Sequence, residues 1–455
     1  MGEQRMKRPN VVVFFTDQQR WDTAGIHGNP LGLTPNFDRL ARYGTHLEHA
    51  FTCQPVCTPA RACLQTGTYA TVNGCFANGI PLPEELPTLA RCFNEHGYET
   101  GYIGKWHLAA TRTEPVPERL RAGYRYWLAA DSLEHTSDAY RTKLYDNDNN
   151  AVQLPGYRVD ALTDAAIRFM DERKELPFFL FLSFLEPHHQ NHRDDYPAPH
   201  VYRDSFAGRY TPPDLAALGG NAQQQLGGYY GMVKRLDEAL GRVMDALESL
   251  GLAEDTVVLF ASDHGSHFKT RNGEYKRSCH ESSIRIPSAL YGGPFTGGGT
   301  VRELVSLVDL APTLLDAAGI EVPPTMQGRS ALPLVRGGGR DAAWPGEVFV
   351  QISESQVGRA IRTKRWKYSV SAPGRDPIAD SGADRYEEEF LYDLTADPYE
   401  LTNLAGMDSH RQVADRLRAR LIGRMVEAGE AEPIIVPAPA RSGGQRKVYA
   451  EELEE

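Results

Sequence analysis

Residues 11 to 18 read VVVFFTDQ: six β-branched or aromatic residues run directly into an acid and an amide. A run without polar alternation has no solvent face, so it reads as a strand covered on both sides, the usual situation in a parallel sheet. Three further stretches share this texture: TGYIG (100–104), FFLFLSF (178–184) and TVVLFA (256–261). Helical patterns separate them. In LTPNFDRLARYG (33–44), Thr34 is the expected N-cap, Pro35 the first helical residue and Gly44 the stop. A longer helix is expected from about Tyr230 to Leu250, with Val233, Leu236, Leu240, Val243, Leu247 and Leu250 on one apolar stripe. Strands alternating with helices predict an α/β fold, a large mostly parallel sheet sandwiched by helices.

Ligands of such sheets gather beyond the carboxyl ends of the strands. Asp17 and Gln18 follow the first run, Lys105 and His107 the second, Glu186, His188 and His189 the third, and Asp263 and His264 the fourth. Four polar endings at one functional edge predict one shared site. After residue 345 the pattern changes to short strands, EVFVQI, RAIRT, WKYSV and EFLYDL, with a helix within 409–428. The expected division is a catalytic domain over 1–345, a smaller C-terminal α+β subdomain with an antiparallel sheet over 346–430, and a Pro- and Gly-containing tail over 431–455 that wraps a surface or frays.

The 455 residues include 60 acidic and 49 basic side chains, a net charge of -11, which disfavours nucleic acid and anionic membranes as partners. No apolar run reaches membrane-spanning length. The start, MGEQRMKRPNVVVFFTDQQ, lacks an apolar leader core, and a cytoplasmic location is the expectation. Six cysteines in a chain of this length then read as reduced thiols.

Five of those cysteines fall between residues 53 and 92, and CQPVCTPAR (53–61) admits three readings: a metal knuckle, a disulfide staple, or a nucleophile at a helix start. A knuckle lacks a second Cys or His pair at zinc-finger spacing, and a staple lacks an export signal. Cys57 differs from its neighbours because Thr58 and Pro59 open a helix expected to run to about Thr66 and stop at Gly67. Free N–H groups at a helix start, with Arg61 one turn in, favour an anionic nucleophile or a bound oxyanion.

PVCTPARACLQTG (55–67) resembles the signature of the type I sulfatases, of the alkaline phosphatase-like superfamily, whose C-x-P-x-R cysteine is converted to formylglycine. GYETGYIGKWHL (97–108) is similar to the second signature of that family, and RPNVVVFFTDQQR, FASDHGSHF, EYKRSCHESSIRIP and LYDLTADPYELTNLA extend the resemblance over nearly the whole chain. It implies a sulfuric ester hydrolase whose formylglycine hydrate attacks sulfur, forms a covalent sulfo-enzyme and is regenerated by elimination. The implied metal set is Asp17, Gln18, Asp263 and His264, with residue 57 as a further ligand. Calcium is the favoured ion, with magnesium and manganese as options. Many relatives have Asp where Gln18 stands and Asn where His264 stands, so this set carries less negative charge.

By the same resemblance Arg61, Lys105 and Lys276 would hold the diol and sulfuryl oxygens, His107 would act as base, and His188 would serve the departing oxygen. His189, His192, His267 and His280 are left as ordinary structural or surface residues. The implied partners are a sulfate ester, with a sulfated carbohydrate preferred to an aryl sulfate, and a formylglycine-generating enzyme. Two alternatives stand beside this reading: a phosphonate monoester or phosphodiester hydrolase of the same superfamily, which the GKWH block disfavours, and an unmatured pseudoenzyme or sulfated-glycan binder.

Overall fold

The computed structural model describes residues 8–297, 299–337, 343–443 and 447–453. Eleven strands form the large sheet: β1 (Asn10–Thr16), β2 (Thr45–Phe51), β3 (Glu99–Lys105), β4 (Tyr126–Ala130), β5 (Tyr140–Tyr145), β6 (Ala151–Tyr157), β7 (Phe178–Ser183), β8 (Thr256–Ser262), β9 (Arg285–Ile286), β10 (Ala289–Tyr291) and β11 (Thr300–Ser306). Their spatial order is β11-β2-β10-β8-β1-β7-β3-β4-β5-β6, with β9 against β2. The central five, β8 to β4, run parallel; β10, β5 and β6 pair antiparallel with their neighbours.

All four expected strands lie in that parallel centre, and β1 shows why its sequence has no polar alternation. Val11, Val13 and Phe15 enter one apolar cluster while Val12 and Phe14 enter the other, and all five are fully buried. The register then aligns the strand ends. Thr16 lies opposite Ser262, Phe15 opposite Ser183, and Gly104 opposite Ser183. The polar residues after these four strands therefore emerge from one edge.

The helix Pro35–Tyr43 has the expected bounds, but the Thr34 side chain does not cap it. Thr34 Oγ1 instead accepts from the Gly25 N–H, and the Asp237 carboxylate takes the N–H groups of Asn36 and Phe37. The long helix spans Ala222–Ser249, beginning eight residues before the apolar stripe indicated. Its first turns, AQQQLGGY, continue no apolar stripe and hold two glycines, which weaken a helical signal but permit close packing. A Cβ at Gly228 would lie 2.3 Å from the Tyr196 carbonyl oxygen. Gly228→Ala is accordingly expected to cost about 1–3 kcal/mol in denaturant unfolding, by forcing this helix off the Tyr196 segment.

Strands β12 (Glu347–Ile352), β13 (Gly358–Thr363), β14 (Trp366–Ser371) and β15 (Arg385–Asp393) form an antiparallel sheet under the helix Arg411–Glu427. A fifth strand, β16 (Ile434–Val436), pairs parallel with β15, so this part of the 431–455 stretch is held by a backbone ladder. Residues 1–7, 444–446 and 454–455, part of the expected lead and tail, lie outside the described residues. Phe349, Ile361 and Tyr368 join the same apolar cluster as Val11 and Val13, and the Gln351 N–H donates to the Cys53 carbonyl at 2.8 Å. All six cysteines are free and buried. Among the described residues no helix is long and apolar enough to cross a membrane.

Candidate active site

Cys57 is the first residue of the helix Cys57–Thr66, which Gly67 ends in a left-handed conformation. Packing against the strand ends places its Sγ 3.4 Å from His264 Nε2 and 3.7 Å from Asp17 Oδ1. Lys276 Nζ approaches at 2.8 Å and Lys105 Nζ at 3.8 Å. Burial pushes the thiol up, but Lys105, Lys276 and His264, with a hydrogen bond from His107, outweigh it and hold Cys57 well below the ordinary thiol range.

Asp17, Cys57, Asp263 and His264 are fully buried, and one ligand atom from each lies within 4.8 Å of all the others. Oxygen ligands 2.3–2.6 Å from a shared cation would be separated by at most about 5 Å, so the cluster has the dimensions of a metal centre. Its hydrogen bonding is suited to one as well. His264 Nδ1 lies 2.9 Å from the Gly265 carbonyl, which can only accept; Nδ1 therefore carries a proton, and Nε2 is the ring nitrogen left to offer a lone pair to a cation in the cluster. Asp263 Oδ2 and Gln18 Oε1 are buried without a hydrogen-bond partner among the described residues. Gln18 is held at φ 67°, its N–H on Asp263 Oδ1 and its Nε2 on the Tyr196 hydroxyl. These donors fit a divalent cation that accepts oxygen and one imidazole nitrogen.

Two fixed cations balance the carboxylates. Arg61 donates to Asp17 Oδ2 at 2.9 Å, to Ser183 Oγ at 2.8 Å and to the Lys105 carbonyl at 3.1 Å, with its Nε 3.3 Å from Asp263 Oδ2. Its guanidinium thus braces the two acids. Lys105 bridges Asp17 at 2.8 Å and Glu134 at 3.2 Å. Burial would raise Glu134, but the charges of Lys105, His107 and His188 hold it down to about 2. For Asp263, burial and the neighbouring Asp17 push the carboxyl up to about 6. Removing a bound cation leaves these acids more poorly matched. Dialysis against a chelator is expected to lower the melting temperature by several degrees, and a divalent ion should restore it.

Above Cys57 opens a cleft of about 880 Å³ lined by polar side chains, among them Asn78, His107, Arg112, Glu134, His188 and Lys276. His188 Nδ1 lies 2.6 Å from the His189 carbonyl, and its Nε2 faces Lys276 Nζ at 3.2 Å. His107, at φ 60°, hydrogen-bonds through its carbonyl to Thr58 Oγ1, and its ring lies 3.9 Å from Glu134.

Ten candidate residues thus meet around one point: Asp17, Gln18, Cys57, Arg61, Lys105, His107, His188, Asp263, His264 and Lys276. Glu186 turns away to Arg158, 2.8 Å distant. His189 lines the cleft, 3.5 Å from Gln18 Nε2, and His267 supports Lys276 through its carbonyl. His280 instead meets Tyr392, and His192 lies at the surface near Asp138. Glu134 was not anticipated from the sequence; nothing in LEHTSD marks an acid that contacts the lysine of another strand.

The family model described as Sulfatase matches residues 9–320. The chain belongs to the sulfatase family. A second model, N-sulphoglucosamine sulphohydrolase, C-terminal, matches residues 273–427 of this sulfatase. It is 31% identical to an ulvan-active sulfatase of Formosa agariphila over 93% of its own length and 82% of that protein's. An N-acetylglucosamine-6-O-sulfatase of Bacteroides thetaiotaomicron is 25% identical over 89% and 84% of the two chains. Among solved structures, the YidJ protein of Bacteroides fragilis superposes with a TM-score of 0.81 at 24% identity, covering 94% of this sulfatase and 98% of that chain, a likeness of fold. The large mixed, mostly parallel sheet and the mostly antiparallel five-stranded sheet are this family's architecture, and the chain is a hydrolase of the sulfatase family.

Proposed function

We propose that the protein, once Cys57 has been converted to formylglycine by a maturing enzyme, hydrolyses a sulfate monoester carried by a carbohydrate. The observation that carries this reading is the placement of Cys57 at a helix start, between a buried Asp/Asp/His cluster and two lysines, below a polar cleft. The carbohydrate preference is supported by the lining, where Asn78, Thr113, Ser132 and Asn191 match sugar hydroxyls better than an aryl ring. The two curated relatives named above support it also.

The Cys57 Sγ stands in for the hydroxyl oxygens of the hydrated aldehyde. A cation in the cluster would lower the pKa of the attacking hydroxyl and neutralise charge, with calcium preferred over magnesium and manganese for the oxygen-rich donors. The Lys105 and Lys276 ammonium groups, both beside residue 57, receive the sulfuryl oxygens. His107 would take the proton of the second hydroxyl, so that the sulfate leaves by elimination and no water need attack sulfur. The departing sugar oxygen meets the His188–Lys276 pair. Burial and then the Lys276 charge hold His188 below its ordinary value, and the pair would supply the departing oxygen with a proton.

A poor leaving group needs that proton more than a good one. His188→Ala should therefore lower kcat on sugar sulfates by about 10²–10⁴-fold and on activated aryl sulfates by less than about tenfold. Equal losses on both would remove His188 from this role.

The function itself is tested in two steps. The mass of the proteolytic peptide ending at Arg61 reports conversion of Cys57. The converted protein is then assayed for sulfate release from a panel of sulfated saccharides and aryl sulfates, with matched phosphonate esters alongside. Release from no sulfate would sink the proposal, and a large phosphonate preference would replace it with the phosphonate hydrolase reading.

A further inference from the structure

Among the described residues, every acid lining the cleft is already engaged. Asp131 accepts the N–H groups of Ala109, Thr111 and Arg112, Glu134 holds Lys105, and Glu274 lies 3.4 Å from Arg277. Most of the cations are engaged too. Lys105 and Lys276 converge on residue 57, and Arg277 is held by Glu354 at 2.6 Å. Arg112 is the exception: it lines the same cleft, is exposed, and its guanidinium has no acidic partner among the described residues.

The loop that carries Arg112 is fixed in place. Ala110 and Arg112 adopt φ 55° and 56°, a left-handed conformation that non-glycine residues adopt at a cost. The three N–H groups on Asp131 hold it there, and the Arg112 carbonyl accepts from the Ser132 N–H at 3.0 Å. A strained backbone pinned by a buried carboxylate, presenting an unneutralised guanidinium to a cleft of a chain with net charge -11, is arranged for an anion that arrives from outside.

We propose that Arg112 binds a second anionic group of the substrate, a carboxylate or another sulfate, while the scissile sulfate occupies the pocket at residue 57. The inference rests on the carbohydrate-sulfate reading above and narrows it. The substrate is then a saccharide with at least two negative groups, and Arg112 is a specificity-determining residue for it. The planar guanidinium forms paired hydrogen bonds to either group, which a lysine ammonium cannot reproduce.

The test measures binding by calorimetry to the full chain carrying Cys57→Ala, which takes up substrate without turning it over. Three matched disaccharides are compared: one with a single sulfate, one with a sulfate and a uronate carboxylate, and one with two sulfates. The expected result is a preference of about tenfold to a hundredfold for one or both dianionic ligands, which weakens with added salt and collapses when Arg112→Gln is added. Arg112→Lys should retain only part of it, and the melting temperature should not move because the side chain is exposed. The two dianionic arms identify which group is read. No preference in the starting protein, a preference that survives Arg112→Gln, or no measurable binding of either dianionic ligand at millimolar concentration would each overturn the inference. If the preference depends on Arg112 but the converted protein hydrolyses no sulfate ester, the hydrolase reading fails and the anion subsite stands.

Discussion

Cys57→Ala protein is expected to release sulfate at least about 10⁴-fold more slowly than the converted wild type, with its fold intact. The substitution removes one buried sulfur and leaves the strand ends, Lys105, Lys276 and the Asp17–Asp263 pair in place. Its melting temperature should therefore stay within a few degrees of wild type. Wild-type chain produced without a maturing enzyme should be equally inactive, but chemically distinct. Its Cys57 thiol is held well below the usual range by Lys105, Lys276 and His264 at the floor of an open cleft. Iodoacetamide should alkylate it at neutral pH faster than the other five cysteines, whereas converted protein should not be labelled at this position. Comparable turnover by converted and Cys57→Ala protein would exclude the formylglycine route altogether.

The second large effect concerns Lys105, whose ammonium is fully buried between Asp17 and Glu134. Lys105→Met leaves two buried carboxylates without their shared cation. Loss of one partner from such a group costs about 3–5 kcal/mol, so chemical denaturation should show a large fall in stability. Saturating divalent cation should recover part of it by neutralising Asp17. Turnover should fall by about 10²–10³-fold, because in the proposed function the same ammonium receives the sulfuryl oxygens. Adding Glu134→Gln separates the two roles. The double variant should regain stability, since one orphaned charge is gone, without regaining turnover. Recovery of both together would mean that Lys105 matters only through folding.

Much of the site was legible along the chain because the sheet is parallel. In such a sheet the last residue of each buried strand points its successors to one edge, so Asp17, Lys105, His188 and Asp263 could be grouped from strand endings alone. The position of Cys57 was legible for a similarly local reason, since Thr58, Pro59 and Gly67 mark where its helix starts and stops. Arg61 was visible as a charge one turn into that helix, but which acids it braces could not be read. That depends on the register of β1 against β8, which brings Asp17 and Asp263 to the same guanidinium.

The residues that escaped sequence reading contact the site from a distance. Glu134 belongs to a short helix, Leu133–Thr136, just after β4, and meets Lys105 only because β3 and β4 are neighbours. His189 looked like a loop residue until the rings of Tyr196 and Tyr275 packed beside it. Arg112 is an ordinary surface arginine by sequence; its isolation is a property of where every nearby acid has been committed.

The sequence by itself determined the strands, the helix start at Cys57, the edge at which chemistry gathers and the resemblance to a family, because these follow from periodicity, capping and residue type within short windows. Only the tertiary structure decided which charges neutralise one another and which one is left over for a ligand. That choice rests on distances of about 3 Å between residues tens to hundreds of positions apart, and no local pattern encodes them.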